Sequence, residues 1–179
     1  MTLLTPGFLA MSSLEVHQTA EEHWRRHGTT PIKVVLFAAD GVPHLVDFEQ
    51  GIGQDAAGEA VRAHAERVGA VAVVLTAIAR VAEVEVDLTP REPDAGPQPD
   101  QATPAARLVG DFGRAVVTLA IWPGRDLTKA LRSTILTSLD GPDVLLSARE
   151  GAPADPDDFA GLITWLTGLL PKRTPEAGS

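Results

Sequence analysis

The 179-residue chain contains no cysteine. This absence excludes disulfides, thiolate zinc sites, iron–sulfur clusters and a cysteine nucleophile. It does not indicate a compartment, because secreted proteins can also lack disulfides. Long hydrophobic runs are missing as well, since no apolar stretch approaches the ~20 residues of a membrane helix. The partly apolar Met1–Met11 segment lacks a basic region and contains Pro6 and Gly7, so it is a poor signal peptide. We therefore expect a soluble, cytoplasmic protein without membrane contact.

Basic residues are scarce and scattered. Fifteen Lys and Arg stand against 24 Asp and Glu, for a net charge of −9. Only Lys33, Lys129 and Lys172 are lysines, and the arginines form no stripe. A negative field repels phosphate backbones and anionic lipid at long range, so nucleic acid is not an expected partner.

Length and composition indicate one folded domain. Hydrophobic residues make up 44% and charged residues 22% of the chain, which suits a globular core and does not fit a wholly disordered protein. We expect a flexible N-terminal segment at 1–11, a single domain at 12–171 and a disordered tail at 172–179. Five prolines between Thr89 and Pro104 predict an exposed, Pro-rich loop at 89–105 within that domain.

The first half of the chain predicts two helices around a β-hairpin. A capping-box pattern at Ser12–Glu15 predicts a helix that ends at Gly28. A β-branched apolar run at 32–39, the Asp40-Gly41 turn and the alternating residues 44–49 predict the hairpin. Asp55 is the expected N-cap of the second helix, which ends at Gly69.

The second half predicts a sheet closed by a helix. The apolar run 70–79 is typical of a central strand, with a half-exposed continuation at 83–87 and another strand at 114–122. Residues 127–139 fit a helix or a strand, and the Asp-Gly-Pro turn after them favours a hairpin. Asp155 and Pro156 predict the start of a final amphipathic helix. The predicted fold is α+β: a mainly antiparallel sheet (hairpin, long central strand, C-terminal meander) with three helices packed on it.

A glycine-containing turn is the strongest hint of a cofactor. Gly51, Gly53 and Ala56 have the Gly-x-Gly-x-x-Ala spacing of a dinucleotide fingerprint, between a strand and a helix. These three residues are the candidate cofactor-binding residues. However, carboxylates on both sides of the turn would repel a pyrophosphate, and the preceding strand belongs to a short hairpin. The pattern therefore favours an ordinary strand–helix turn, and we expect no cofactor.

Histidines offer weaker candidates. His23 and His27 lie four residues apart on one helical face, which permits a metal site. Trp24 stands where a zincin motif needs Glu, so a solvated helix face is favoured and no metal is expected. His44 lies near Asp40, Asp47 and Glu49 in sequence, so general acid–base chemistry is conceivable. The alternation of the strand, however, places Asp47 and Glu49 on the face opposite to His44.

No catalytic residue can be assigned from the sequence. No serine has the Gly-x-Ser-x-Gly setting of a nucleophile elbow, and the three tryptophans are expected in the core. The sequence favours a non-catalytic interaction or assembly domain that binds a protein partner or itself. The alternative is a small-ligand or nucleotide-binding protein, or an enzyme, that uses the turn from Gly51 to Ala56 with Asp40, His44 and Glu49.

Overall fold

The computed structural model describes residues 3–46, 48, 53–81, 113–137, 141–147 and 154–172. These ranges form the predicted α+β fold. The helices are α1 (Pro6–His27), α2 (Gln54–Val68) and α3 (Ala160–Leu169). The strands are β1 (Lys33–Ala38), β2 (Pro43–Val46), β3 (Ala70–Val81), β4 (Gly113–Trp122), β5 (Leu127–Leu136) and β6 (Val144–Leu146).

The strands form one sheet in the order β2-β1-β3-β4-β5-β6, with every neighbouring pair antiparallel. The predicted hairpin is β1–β2, the long central strand is β3, and β4, β5 and β6 form the C-terminal meander. Residues 127–136 are a strand because β4 pairs with residues 127–135 and β6 pairs with residues 134–136. This resolves the helix–strand ambiguity of the sequence in favour of the strand.

The helices cover both faces of the sheet. Alternation along β4 sends Val117, Leu119 and Ile121 into a core shared with α2 and α3. The alternate residues Val116 and Ala120 pack in the clusters beneath α1 on the opposite face. A strand with apolar residues on both faces is typical of the centre of a three-layer arrangement, which explains why residues 115–122 of β4 are apolar except for Thr118.

Two helix starts differ from their predicted positions. Helix α1 begins at Pro6 because Thr5 is its N-cap and accepts a hydrogen bond from the Phe8 amide at 3.1 Å. The predicted cap, Ser12, lies inside the helix seven residues after Thr5, so it cannot be the N-cap. The N-cap of α2 is Gly53, whereas Asp55 lies in the first turn of that helix.

Other predicted boundaries have mixed outcomes. Helices α1 and α2 end as predicted, at Gly28 and Gly69, where positive φ angles of 69° and 62° suit glycine. Asp155 caps a 3₁₀ turn at Pro156–Phe159, and the final α-helix begins after it. The predicted strand continuation at 83–87 and the Pro-rich loop at 89–105 lie outside the described residues, as does the tail after Lys172.

Candidate functional site

A groove of about 810 Å³ opens where β3 extends past the beginning of β1. Its walls come from the loop between α1 and β1, the end of β3, and helices α2 and α3. The lining is mostly apolar, and the residues that matter most for its shape are Thr30, Ile32, Ala77, Ala79, Leu162 and Trp165. A volume of this size is typical of a ligand-binding cleft.

The groove exists because β1 is shorter than its neighbour. Pairing between β1 and β3 ends where Lys33 lies opposite Thr76, whereas β3 continues to Val81 and pairs there with β4 alone. Pro31 lies two residues before β1 and has no N–H to donate to a ladder, which limits β1 at this end. In the ranges the structure describes, no strand pairs with residues 77–81 on the β1 side.

The groove lies against the backbone edge of β3. Ala77, Ile78 and Ala79 are consecutive, and all three line the cavity. Successive side chains of a strand point to opposite faces, so a cavity that touches three in a row must run along the strand edge. The methyl side chains of Ala77 and Ala79 leave space that larger residues would fill.

Helices α2 and α3 form the wall on one face of the sheet. Gly58 of α2 allows their close approach, because a Cβ at that position would lie 3.4 Å from the Trp165 ring. The indole therefore packs across α2 and presents part of its surface to the groove together with Leu162. Trp24 and Trp122 are buried as the sequence predicted, whereas Trp165 is only half-buried.

Thr30 is an unusual member of the lining. Its residue is only 7% exposed, and its hydroxyl oxygen has no hydrogen-bond partner among the described residues. An unsatisfied buried polar group costs about 1–3 kcal/mol, so such groups are rare in native structures. The lining of the groove thus includes one buried hydroxyl that has no hydrogen-bond partner among the described residues.

A second polar feature is a buried network beneath α1. The His17 ring lies between the Thr118 hydroxyl, 2.9 Å from Nδ1, and the Ser133 hydroxyl, 2.8 Å from Nε2. Thr118 donates in turn to the Thr76 hydroxyl at 2.8 Å, and Ser133 donates to the Glu21 carboxylate. Because these side chains come from α1, β3, β4 and β5, the network fixes the position of the helix across three strands.

His17 is neutral in this network. Burial lowers its pKa, and the nearby Glu21 carboxylate opposes that shift without reversing it. A neutral imidazole has one N–H, and we assign it to Nδ1 because the Thr118 hydrogen is directed to Thr76. The single hydrogen of Ser133 is then shared between Glu21 and His17 Nε2, whose acceptor atoms lie 3.5 Å apart.

The distance between Ser133 and His17 resembles that of a nucleophile and its general base, but both side chains are closed to solvent. Ser133 is 0% exposed and His17 is 1% exposed, so neither can meet a substrate while α1 remains packed on the sheet. A depression of about 390 Å³ beside them is lined by Glu21, Arg25 and Ser147 as well as His17. Glu21 also lies 3.5 Å from the Arg25 guanidinium. The arrangement holds the fold together and offers no exposed nucleophile.

The neutral state of His17 predicts acid sensitivity. The unfolded chain takes up a proton at the ordinary histidine pKa near 6.5, whereas folded His17 does so only at lower pH. The stability that His17 contributes is therefore complete above about pH 6.5 and is lost as the pH falls through its folded-state pKa. Urea unfolding of the wild type and His17→Gln between about pH 8 and pH 5 measures this effect.

The comparison isolates His17 because Glu21, Arg25 and the other ionisable groups are present in both proteins. We expect the stability advantage of the wild type over His17→Gln to shrink on acidification. An advantage that stays constant or grows as the pH falls would contradict the neutral assignment.

Of the candidate cofactor-binding residues, neither Gly53 nor Ala56 lines the groove. Gly51 lies outside the described residues, Gly53 is the extended N-cap of α2, and the Ala56 side chain is exposed. Gln54 and Ala57, in the first turn of the same helix, line the groove. The strands flanking α2 belong to an antiparallel sheet, whereas a dinucleotide fold places this turn after a parallel strand.

The hairpin residues do not converge on one centre. The Asp40 carboxylate accepts a hydrogen bond from the Val42 amide at 3.1 Å and closes the β1–β2 turn. The His44 ring lies 6.1 Å from the His64 ring, and Arg67 donates to His64 Nδ1 at 2.8 Å. Burial, the Arg67 charge and His44 lower the pKa of His64 in that order. Glu49 lies outside the described residues.

Comparison with known proteins adds no functional assignment. Within the described ranges, no three His, Cys, Asp or Glu side chains gather at a common metal site. No helix in the same part of the chain is long and apolar enough to cross a membrane. No family model, no curated protein and no solved structure matches the chain. Function must therefore be inferred from the geometry of the groove.

Proposed function

We propose that this chain is a non-catalytic protein-interaction domain that binds an extended, apolar segment of a partner protein along the open edge of β3. The observation that carries the proposal is the coincidence of an apolar groove with a strand edge that has no partner strand among the described residues. An added strand would take main-chain hydrogen bonds from the edge and side-chain contacts from the groove.

The backbone of residues 77–81 supports an extended occupant in preference to a compact one. In an antiparallel sheet, every second residue points both its N–H and its C=O toward the same neighbour. The N–H and C=O groups on one side of β3 pair with β4, and those of the alternate residues point toward the groove. These groups are strong donors and acceptors in a regular row, and an extended peptide satisfies such a row most completely.

The side-chain environment predicts the character of the segment. Ala77 and Ala79 share a face with Leu75 and border the wall formed by Leu162 and Trp165. Alternate residues of the added strand would place apolar side chains into this space. The intervening residues would face the side of Ile78 and α1. The expected ligand therefore has large apolar residues at every second position.

The length of the open edge sets the length of the segment. Five residues of β3 follow Thr76, the last residue opposite β1. At about 3.3 Å per residue they span roughly 17 Å. A segment of about five residues fills this edge, and a proline at an inward-pointing position would remove a required donor.

The outer edges of the sheet are less suited to strand addition. The four-residue β2 begins with Pro43, and β6 has only three residues. β5 extends past β6, but its exposed Lys129 places a charge on that edge. Short strands, prolines and edge lysines are the usual protections against unwanted pairing. The β3 edge instead adjoins an apolar groove.

The proposal is tested by selection from a displayed peptide library, followed by affinity measurement on two variants. Ala79→Arg fills the groove with a charged side chain that an apolar segment would have to desolvate. Ala60→Arg places the same charge on the exposed surface of α2 and is the matched control. We expect selected peptides with alternating apolar residues to lose about tenfold or more in affinity on Ala79→Arg, equivalent to about 1.4 kcal/mol, and to bind Ala60→Arg normally.

Three other results would contradict the proposal. Selected peptides that bind both variants equally would place their site elsewhere. A library that yields no binder, together with a metabolite that stabilises the wild type but not Ala79→Arg, would instead assign the groove to a small molecule. Concentration-dependent dimerisation abolished by Ala79→Arg would identify a second copy of the chain as the occupant.

A further inference from the structure

Two histidine rings meet at the C-terminal end of α1. His23 and His27 are separated by one helical turn, and their ring centroids lie 4.5 Å apart with a 44° angle between the planes. Imidazoles that share a tetrahedral ion at metal–nitrogen distances of 2.0–2.1 Å place their ring centres about 5 Å apart. The observed separation is thus close to that of a shared ligand pair.

A backbone hydrogen bond orients His23 for metal binding. Its Nδ1 lies 2.8 Å from the Thr29 carbonyl oxygen. A carbonyl can only accept, so Nδ1 must carry the hydrogen, and the neutral ring then has its lone pair on Nε2. Metal-binding histidines characteristically donate their second N–H to a carbonyl or carboxylate, which fixes the tautomer and the direction of the ring. The sequence does not show this hydrogen bond, and the spacing of the two histidines alone favours a solvated helix face.

The local charges tolerate a cation. The C-terminal end of a helix carries partial negative charge on its last carbonyl groups. The two arginines between the histidines each lie near a carboxylate one turn earlier. Arg25 is 3.5 Å from Glu21, and Arg26 is 3.7 Å from Glu22. Their positive charges are therefore partly offset before a metal ion arrives.

We propose that Nε2 of His23 and a ring nitrogen of His27 bind a divalent late transition-metal ion, with solvent in the remaining positions. Imidazole ligands suit Zn²⁺, Ni²⁺ and Cu²⁺. At a site open to solvent, Cu²⁺ is expected to bind more tightly than Ni²⁺ or Zn²⁺. His23 also lines the groove, so the ion would lie near its mouth. The site does not depend on the proposed peptide function.

Calorimetric titration of the untagged protein with Zn²⁺ and with Ni²⁺ tests the site. We expect one binding event that weakens at least about tenfold in His23→Asn and in His27→Asn, since loss of even a supporting residue typically costs that much. Both side chains are at least partly exposed, so the variants should fold. His64→Asn is the control, because His64 belongs to the other close histidine pair of the described residues.

Nitrogen-detected NMR of the imidazoles gives a second readout. Metal should shift His23 Nε2 while Nδ1 keeps its proton, as the bond to Thr29 requires. Unchanged binding in both His23→Asn and His27→Asn would overturn the proposal. So would binding that is lost in His64→Asn, or a wild-type protein that binds neither ion.

Discussion

Replacing Leu119 by alanine is expected to lower the free energy of unfolding by about 3–5 kcal/mol. Leu119 is 0% exposed at the centre of β4, with Leu75 of β3 and Ala130 of β5 beside it in the ladder. It belongs to the core that joins the sheet to α2 and α3. Truncation removes transfer free energy and leaves a cavity that two paired neighbouring strands prevent from collapsing.

Urea unfolding of Leu119→Ala measures the effect, and Leu45→Ala is its matched control. Leu45 is also a strand leucine, but it lies on the edge strand β2 and is 51% exposed. Its truncation should cost less than about 0.5 kcal/mol. Equal losses in the two variants would mean that β4 is not the centre of the core.

The fold could largely be predicted because its signals are local. The glycines that end α1 and α2, the Asp-Gly turn of the first hairpin and the double-sided apolar run of β3 each act within a few residues. Part of the strand order also follows from local rules, because β1 and β2, and then β4, β5 and β6, are joined by short turns and pair in sequence. The pairing of β1 with β3 joins strands that are not consecutive and has no such local signal. Helix starts were harder, since several polar residues near the true N-cap can compete for that role, as Ser12 and Asp55 did with Thr5 and Gly53.

The candidate site could not be predicted because it arises from a difference in length between two strands. The sequence of β1 does not indicate where β3 ends, and the sequence of β3 does not indicate where β1 begins. The register that places Lys33 opposite Thr76 depends on contacts between residues far apart in the chain. Pro31 was the available signal, since proline marks the place where a ladder loses a donor. Trp165 was expected in the core, and nothing in its neighbourhood predicts the approach to Gly58 that leaves it half-buried.

The buried network was missed for a similar reason. His17 and Glu21 lie on the same helical face as Ala20 and Trp24. Their spacing indicates that this face is buried, but it does not show which side chains they bind. The partners of His17 are far away in sequence: Thr118 follows it by 101 residues and Ser133 by 116 residues. Only the paired strands bring them beneath α1.

Backbone methylation of a bound peptide has the largest expected effect on the proposed function. If the peptide adds to β3 as a strand, every second amide N–H donates to the edge and the remaining amides face away. Methylating two inward amides removes two hydrogen bonds and leaves their acceptors unsatisfied. At about 1.4 kcal/mol or more for each position, affinity should fall about 100-fold or more. Methylating two outward amides should change it less than about threefold, because those groups contact no strand.

The decisive measurement is the affinity of these two methylated forms of one selected peptide, taken side by side on the wild-type protein. Strand addition at residues 77–81 predicts a loss of about 100-fold in affinity for the peptide methylated at inward amides. It predicts near-normal affinity for the peptide methylated at outward amides. Equal affinities for the two forms, whether both strong or both weak, would contradict main-chain pairing with β3 and remove the basis of the proposed function.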